Sequence, residues 1–229
     1  MSYKLHFAPD NASLIIRIFL EEIRAEYSTT LVDRKKNKQK DLKYLTLNPN
    51  GLIPVLETPH GTIFETAAIL LWLADNHKSS FPMVGDENRT YALKWLFFLS
   101  NTVHSSLRIL FYSEKYNSGE AINELRLNIS AQLNTHLTLL NTEANKKTFF
   151  LSDNPSILDI YLCVMLRWMK LYPLDKTDWF SLENFRNLTR ITQKLEMHPS
   201  VLIAAKAEGL GNTVFSNPSY ANPPIGSSV

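Results

Sequence analysis

Residues 48–76 read NPNGLIPVLETPHGTIFETAAILLWLADN, and the fold turns on how they are read. Ile53 to Glu57 form a short apolar run suited to a buried strand. Thr58-Pro59-His60-Gly61 is a turn, with proline fixing one dihedral and glycine free to take a positive one. Thr62 to Phe64 return as the partner strand. Glu65-Thr66 then open a helix whose apolar residues Ile69, Leu70, Trp72 and Leu73 recur at helical spacing.

Pro54 at the head of its strand has no N–H to give a neighbouring strand. If the Ile53–Pro54 bond is cis, the chain turns and leaves the Ile53 N–H and C=O facing outward. A bound peptide could pair with them as an added strand. Free N–H groups at the next helix start suit a carboxylate, and the Glu65 carboxylate suits an ammonium. Together they suit the α-amino-acid end of a small peptide. The plainer alternative is an ordinary hairpin followed by a capped helix.

The stretch sits late in a segment that alternates strand and helix. Tyr3 to Phe7 reads as a strand, Ala8 to Asn11 as a loop, Ser13 to Arg24 as a helix and Tyr27 to Val32 as a second strand. Arg34 to Lys43 is a basic run whose bland reading is a solvated face. The order is thioredoxin-like: a small mixed sheet with helices on both sides. The expected boundaries are 1–77 for this first domain, 78–87 for a linker carrying Pro, Gly and Ser, and 88–211 for an all-helical second domain. Helical spacing runs through Glu87–Tyr116, Glu120–Leu140, Ser156–Leu171, Leu182–Met197 and Ser200–Lys206. The tail, 212–229, is rich in Ser, Pro, Asn and Gly and is expected to be irregular. Ser156-Ile157-Leu158-Asp159 reads as a capping box at the head of a buried helix, a folding device with Asp in place of Glu or Gln.

The chain has 229 residues, 45% of them hydrophobic, and a formal charge of +2, so nothing argues electrostatically for nucleic acid. There is no apolar run long enough to span a membrane and no secretory pattern at the start. One cysteine, Cys163, excludes an internal disulfide; it fits a reducing, cytoplasmic setting and reads as a packed core thiol. No His/Cys/Asp/Glu cluster has metal spacing, and no glycine-rich phosphate loop is visible. His136 and His198 sit on helices without evident partners, and His6 lies on the first strand and is expected to pack under the site.

NPNGLIPVLE followed by FETAAILLWLAD resembles the glutathione-binding half of the glutathione S-transferase family. KLHFAPDNASL, NTVHSSLRILFY, LDIYLCVMLRW and HPSVLIAAKAEGL resemble the bacterial beta class. The likeness runs from residue 3 to about 211. It implies that the strand at Ile53 and Pro54 pairs with the cysteinyl backbone of glutathione. It implies that Glu65 and Thr66, the latter where Ser is usual, hold the γ-glutamyl end. His104, and Lys35 or Lys36, become candidates for the glycyl carboxylate. Phe98, His104, Leu107, Arg108 and Phe111 become candidates for a second-substrate pocket between the domains. Glutathione would be the co-substrate, without a metal, and a homodimer is implied.

The departures are specific. Ala12 stands where that class carries its cysteine, Ser105 where it carries a lysine and Phe97 where it carries an asparagine. Asp10, where some serine-type relatives place a hydroxyl, cannot donate when ionised. Ser13 is therefore the candidate catalytic hydroxyl at the start of the first helix, or else a plain N-cap. The Asn11 amide is a second candidate. Two functions follow: a transferase that conjugates the glutathione thiolate to small hydrophobic electrophiles, or a non-catalytic relative that acts through protein partners.

Overall fold

In the computed structural model, residues 2–146, 150 and 154–227 are described. Strands β1 (Tyr3–Phe7), β2 (Tyr27–Leu31), β3 (Val55–Thr58) and β4 (Gly61–Phe64) form one sheet in the order β2-β1-β3-β4. β1 runs parallel to β2 and antiparallel to β3, and β3 pairs antiparallel with β4. The parallel pair needs a crossover, and α1 (Ser13–Glu22) supplies it. Residues Leu14 to Leu20 of α1 are all buried, because the helix is covered by the sheet on one side and by later helices on the other.

The basic run does not form a plain solvated helix. It breaks into two 3-10 turns and one short helix, α2 (Leu42–Leu45). Tyr44 from α2 packs with Val32 and Val55 as a small separate cluster beneath the strand that follows Pro54. α3 (Thr66–His77) closes the mixed part of the chain. Residues 78–87 carry neither helix nor strand, and every later regular element is helical.

These later elements are α4 (Arg89–Phe97), α5 (Ser105–Phe111), α6 (Ala121–Ala144), α7 (Ile157–Leu171), α8 (Arg186–Leu195) and α9 (Pro199–Glu208). α4 and α5 are joined by a π-helical segment, Phe98–His104, which the uniform helical spacing of 87–116 did not show. Its wider turn re-phases the helix: Phe98 at its start packs against His136 of α6, and His104 at its end meets Tyr161 of α7. α7 is the spine. Its capping box is formed as the spacing suggested, with the Ser156 hydroxyl accepting from the Asp159 N–H at 3.1 Å and Asp159 accepting from the Ser156 N–H at 2.9 Å. Cys163 within it is fully buried, and burial pushes its thiol pKa well up, which makes it inert. The main hydrophobic core is continuous from β1 and α1 through α7 to Phe215.

Residues 212–227 carry neither helix nor strand, but they are packed. Val214 and Phe215 are fully buried. Glu196 accepts from the N–H groups of Phe215 and Ser216. Gly209 ends α9 at φ 65°, and a Cβ there would lie 2.0 Å from the Asn222 carbonyl oxygen as the chain folds back. Gly226 in turn sits against Leu31 and Pro9, so the tail returns to the loop between β1 and α1. Residues 228 and 229, part of the tail expected to be irregular, lie outside the described residues.

Candidate active site

The Ile53–Pro54 peptide is cis and Pro54 is buried. Among the described residues, no backbone hydrogen bond uses the Ile53 N–H or C=O. The neighbouring Leu52 carbonyl is instead fixed from inside, accepting from the Tyr44 hydroxyl at 2.8 Å and the Asn48 amide at 2.9 Å. The rigid approach and the unused peptide group together present one edge for an extended ligand.

Beside it, Glu65 is exposed and precedes α3 with φ 72° and ψ 114°. A non-glycine residue there costs about 1–3 kcal/mol and persists where surrounding structure holds it. Its carboxylate makes no cap hydrogen bond and no ion pair among the described residues. Thr66, the first residue of the helix, is buried. The corner offers a negative charge next to the free N–H groups of a helix start.

The helical half meets this corner through α7. Tyr161 is buried, and its pKa is raised first by burial and second by the Glu65 charge. The Tyr161 hydroxyl and His104 Nδ1 share a hydrogen bond of 2.8 Å. Burial, and then the Arg108 charge, push the His104 pKa down to about 4. The imidazole is therefore neutral at pH 7 and acts as a hydrogen-bonding group, not as a cation for the glycyl carboxylate. Its ring also lies 5.6 Å from that of Trp168.

Trp168 leads to the loop between β1 and α1. Asp10, 4% exposed and at φ 49°, accepts four hydrogen bonds. Arg167 Nε and Nη2 each donate at 2.9 Å, Trp168 Nε1 at 3.1 Å and the Tyr172 hydroxyl at 3.0 Å. Arg167, itself fully buried, gives two further donors to the tail carbonyls of Val214 at 2.9 Å and Ser219 at 2.8 Å. The Asp10 N–H donates to Glu208 Oε2 at 2.8 Å, and Glu208 Oε1 accepts from Arg17 Nε at 2.7 Å. The residue noted in the sequence only as unable to donate is thus the acceptor that ties the loop to α7 and, through Arg167, to the tail.

Several expected site residues fall elsewhere. Ser13 is fully buried; its hydroxyl donates to the Ala8 carbonyl at 3.0 Å and accepts from the Ala8 N–H at 3.2 Å. Both of its capacities are spent inside the loop, so the expected catalytic hydroxyl is out of reach of a ligand. Leu107 is fully buried and belongs to the core, not to a pocket wall. Phe98 packs edge-on against Trp95 and against His136 of α6, on a different side of the helix from His104, because the π segment begins at that residue. Lys35 is exposed and makes no ion pair among the described residues, while the adjacent Arg34 donates to the Tyr112 hydroxyl at 3.0 Å. Arg108 is exposed, and Phe111 is half-buried against Tyr172. His198 is not without partners: it lies 3.0 Å from the Ser200 hydroxyl and 2.9 Å from Glu22. His6 pairs with Glu57 at 2.7 Å on the first strand pair.

The residues missed were Tyr161, Trp168 and Tyr172. Their spacing of seven and four places them along one stripe of α7 and its end. In an almost wholly apolar helix that stripe was hidden among core residues.

Two buried groups give the fold opposite pH dependences. His104 falls from 6.5 to about 4, so its contribution is complete above pH 6.5 and is lost as pH falls towards 4. Glu208 rises from 4.5 to about 7, chiefly through burial, so its contribution is complete below pH 4.5 and is lost as pH rises towards 7. Between 4.5 and 6.5 the slopes oppose. Glu208→Gln removes one of them, so urea unfolding of that variant should show stability rising with pH across this interval more steeply than in the native chain.

The Glutathione S-transferase, N-terminal domain family matches residues 1–88. The solved structure of a sphingomonad glutathione S-transferase complexed with glutathione is 30% identical, with a TM-score of 0.76, and the match covers 91% of this chain and 100% of that one. The chain belongs to the glutathione S-transferase family. Its overall architecture is the glutathione transferase fold. Glutathione S-transferase GST-4.5 of Xanthomonas campestris is 28% identical over 214 residues, covering 90% of this chain and 99% of that protein. Elongation factor 1-gamma 1 of Oryza sativa is 32% identical over 148 residues, but the match spans 61% of this chain and only 35% of that protein.

Proposed function

We propose that the protein binds glutathione and transfers its thiolate to small hydrophobic electrophiles. The reading is carried by one juxtaposition: the unused Ile53 peptide beside a cis proline, next to an exposed, unpaired carboxylate at a helix start. The backbone edge takes the cysteinyl unit. Glu65 takes the α-ammonium, and the α3 start with Thr66 takes the α-carboxylate. His104, held neutral and oriented by Tyr161, is a hydrogen-bonding group on the opposite wall. A reducing, cytoplasmic setting and a homodimer belong to this reading through family membership.

The chemistry requires a stabilised thiolate. Lowering a thiol pKa of about 8.5 by about two units takes about 2.7 kcal/mol of differential stabilisation. With Ser13 sealed in its loop, the Asn11 amide is the donor that remains. Its Oδ1 accepts from the Ala12 N–H at 2.9 Å, which leaves Nδ2 for a ligand. A hydrogen bond to a charged group contributes about 1.5–3 kcal/mol, of the needed order. The start of α1 adds up to about 2 kcal/mol.

Conjugation of glutathione to an aryl halide, with retention on glutathione resin, tests the reading. Asn11→Ala should lower kcat/KM about tenfold or more and raise the apparent thiol pKa in the pH–rate profile. Ser13→Ala should leave turnover per folded molecule within about twofold while costing about 1–3 kcal/mol of stability, because it orphans the Ala8 peptide groups. The second reading, a partner-binding protein without catalysis, is favoured by the sealed Ser13 and by the partial match to the elongation factor. It predicts neither turnover nor retention.

A further inference from the structure

The eleven residues Asp33 to Lys43 hold six of the chain's 24 lysines and arginines and two of its 22 acids. They carry a formal charge of +4, so the other 218 residues sum to −2. A chain that is nearly balanced as a whole thus gathers its positive charge in one place. The backbone keeps that charge outside. Two 3-10 turns, Arg34–Lys36 and Lys38–Lys40, and then α2 leave Lys35, Lys36, Lys38, Lys40 and Lys43 all exposed. The two acids engage two of them, Asp33 with Lys36 at 3.5 Å and Asp41 with Lys38 at 2.8 Å. Lys35, Lys40 and Lys43 make no ion pair among the described residues. Between the last two stands Leu42, 84% exposed, more than any other large apolar side chain among the described residues. Tyr44 fixes the platform from below: it is buried with Val32 and Val55 and donates to the Leu52 carbonyl.

We propose that this face is a docking surface for an anionic phospholipid membrane, with the lysines on the headgroups and Leu42 entering the acyl boundary. A protruding apolar side chain flanked by lysines without acidic partners matches such an interface in both charge and polarity. Nucleic acid matches it less well. The run's one arginine donates to Tyr112, and the aromatic ring that follows the run, Tyr44, is buried, so no ring is offered for bases to stack on. The docking is peripheral; no helix among the described residues is long and apolar enough to cross a bilayer. Because Tyr44 ties the face to the segment before Pro54, docking holds the Ile53 edge at the lipid surface, where hydrophobic electrophiles concentrate. That consequence, unlike the docking itself, rests on the glutathione reading.

The test is co-sedimentation of the full chain with phosphatidylcholine vesicles and with vesicles in which about a third of the lipid is phosphatidylserine, at about 0.1 M and about 0.5 M NaCl. At the lower salt the native chain should bind the acidic vesicles at least about tenfold more tightly than the neutral ones, and the higher salt should remove most of the gain. Lys40→Ala with Lys43→Ala should weaken acidic-vesicle binding about tenfold or more, at about fivefold per lysine. Leu42→Ser, which leaves the charge unchanged, should weaken it about threefold to tenfold. All three side chains are exposed, so both variants should melt as the native chain does. Equal binding to neutral and acidic vesicles, or equal acidic-vesicle binding by the native chain and the lysine variant, overturns the proposal. Native affinity in Leu42→Ser, or tighter binding to duplex DNA than to acidic vesicles at the same salt, overturns the membrane as the occupant. Glutathione enters none of these measurements, so their failure leaves the reading of the active site standing.

Discussion

Asp10→Ala lowers the unfolding free energy by about 3–5 kcal/mol, the cost of leaving a buried charge without its partner. Arg167 is fully buried and gives two of its donors to Asp10. Without the carboxylate, the guanidinium keeps only the Val214 and Ser219 carbonyls. Trp168 Nε1–H and the Tyr172 hydroxyl lose their acceptor at the same time. A domain stability of about 5–15 kcal/mol makes such a loss visible in any denaturant titration. Replacing both charges, as in Asp10→Ala with Arg167→Met, should recover part of the loss. Recovery stays incomplete because the buried Val214 carbonyl is then unpaired, at about 1–3 kcal/mol. If Asp10→Ala alone costs less than about 1 kcal/mol, the buried pair does not anchor the loop.

Glu65→Ala weakens glutathione binding by at least about thirtyfold, because it removes the exposed carboxylate proposed to meet the α-ammonium. Stability responds differently. Glu65 is exposed and makes no ion pair among the described residues, so no buried partner is orphaned. The backbone at φ 72° still disfavours any residue with a Cβ. Glu65→Gly should therefore be more stable than Glu65→Ala by about 1 kcal/mol while binding glutathione as poorly. Thermal melts and calorimetry on the same two variants separate the effects. Glutathione affinity unchanged in both would remove Glu65 from the ligand site.

What could be read in the sequence was what nearby residues dictate. Pro54 at a strand head, the Pro59–Gly61 turn and the Ser156–Asp159 capping box are local devices, and the structure forms each within a few residues of chain. The thioredoxin-like order followed from strand and helix periodicity. The anchoring of Asp10 could not follow from it, since its partners lie 157 to 162 residues away and are ordinary members of an apolar helix. Ser13 was misread for a related reason. A hydroxyl at a helix start can face a ligand or its own loop, and only the path of Ala8 selects the second. Phe98 and Leu107 were assigned to the pocket through the family likeness, on a stretch read as one uniform helix, and the π segment Phe98–His104 interrupts that helix. The tail's composition does not report the carbonyl groups that Arg167 holds or the burial of Phe215.

The most direct test is isothermal titration of the native chain with reduced glutathione at pH 7. One site per chain with Kd between about 1 μM and about 3 mM is predicted, the affinity falling in Glu65→Ala. Absence of detectable heat up to about 10 mM glutathione, in a chain shown by its melt to be folded, would contradict it.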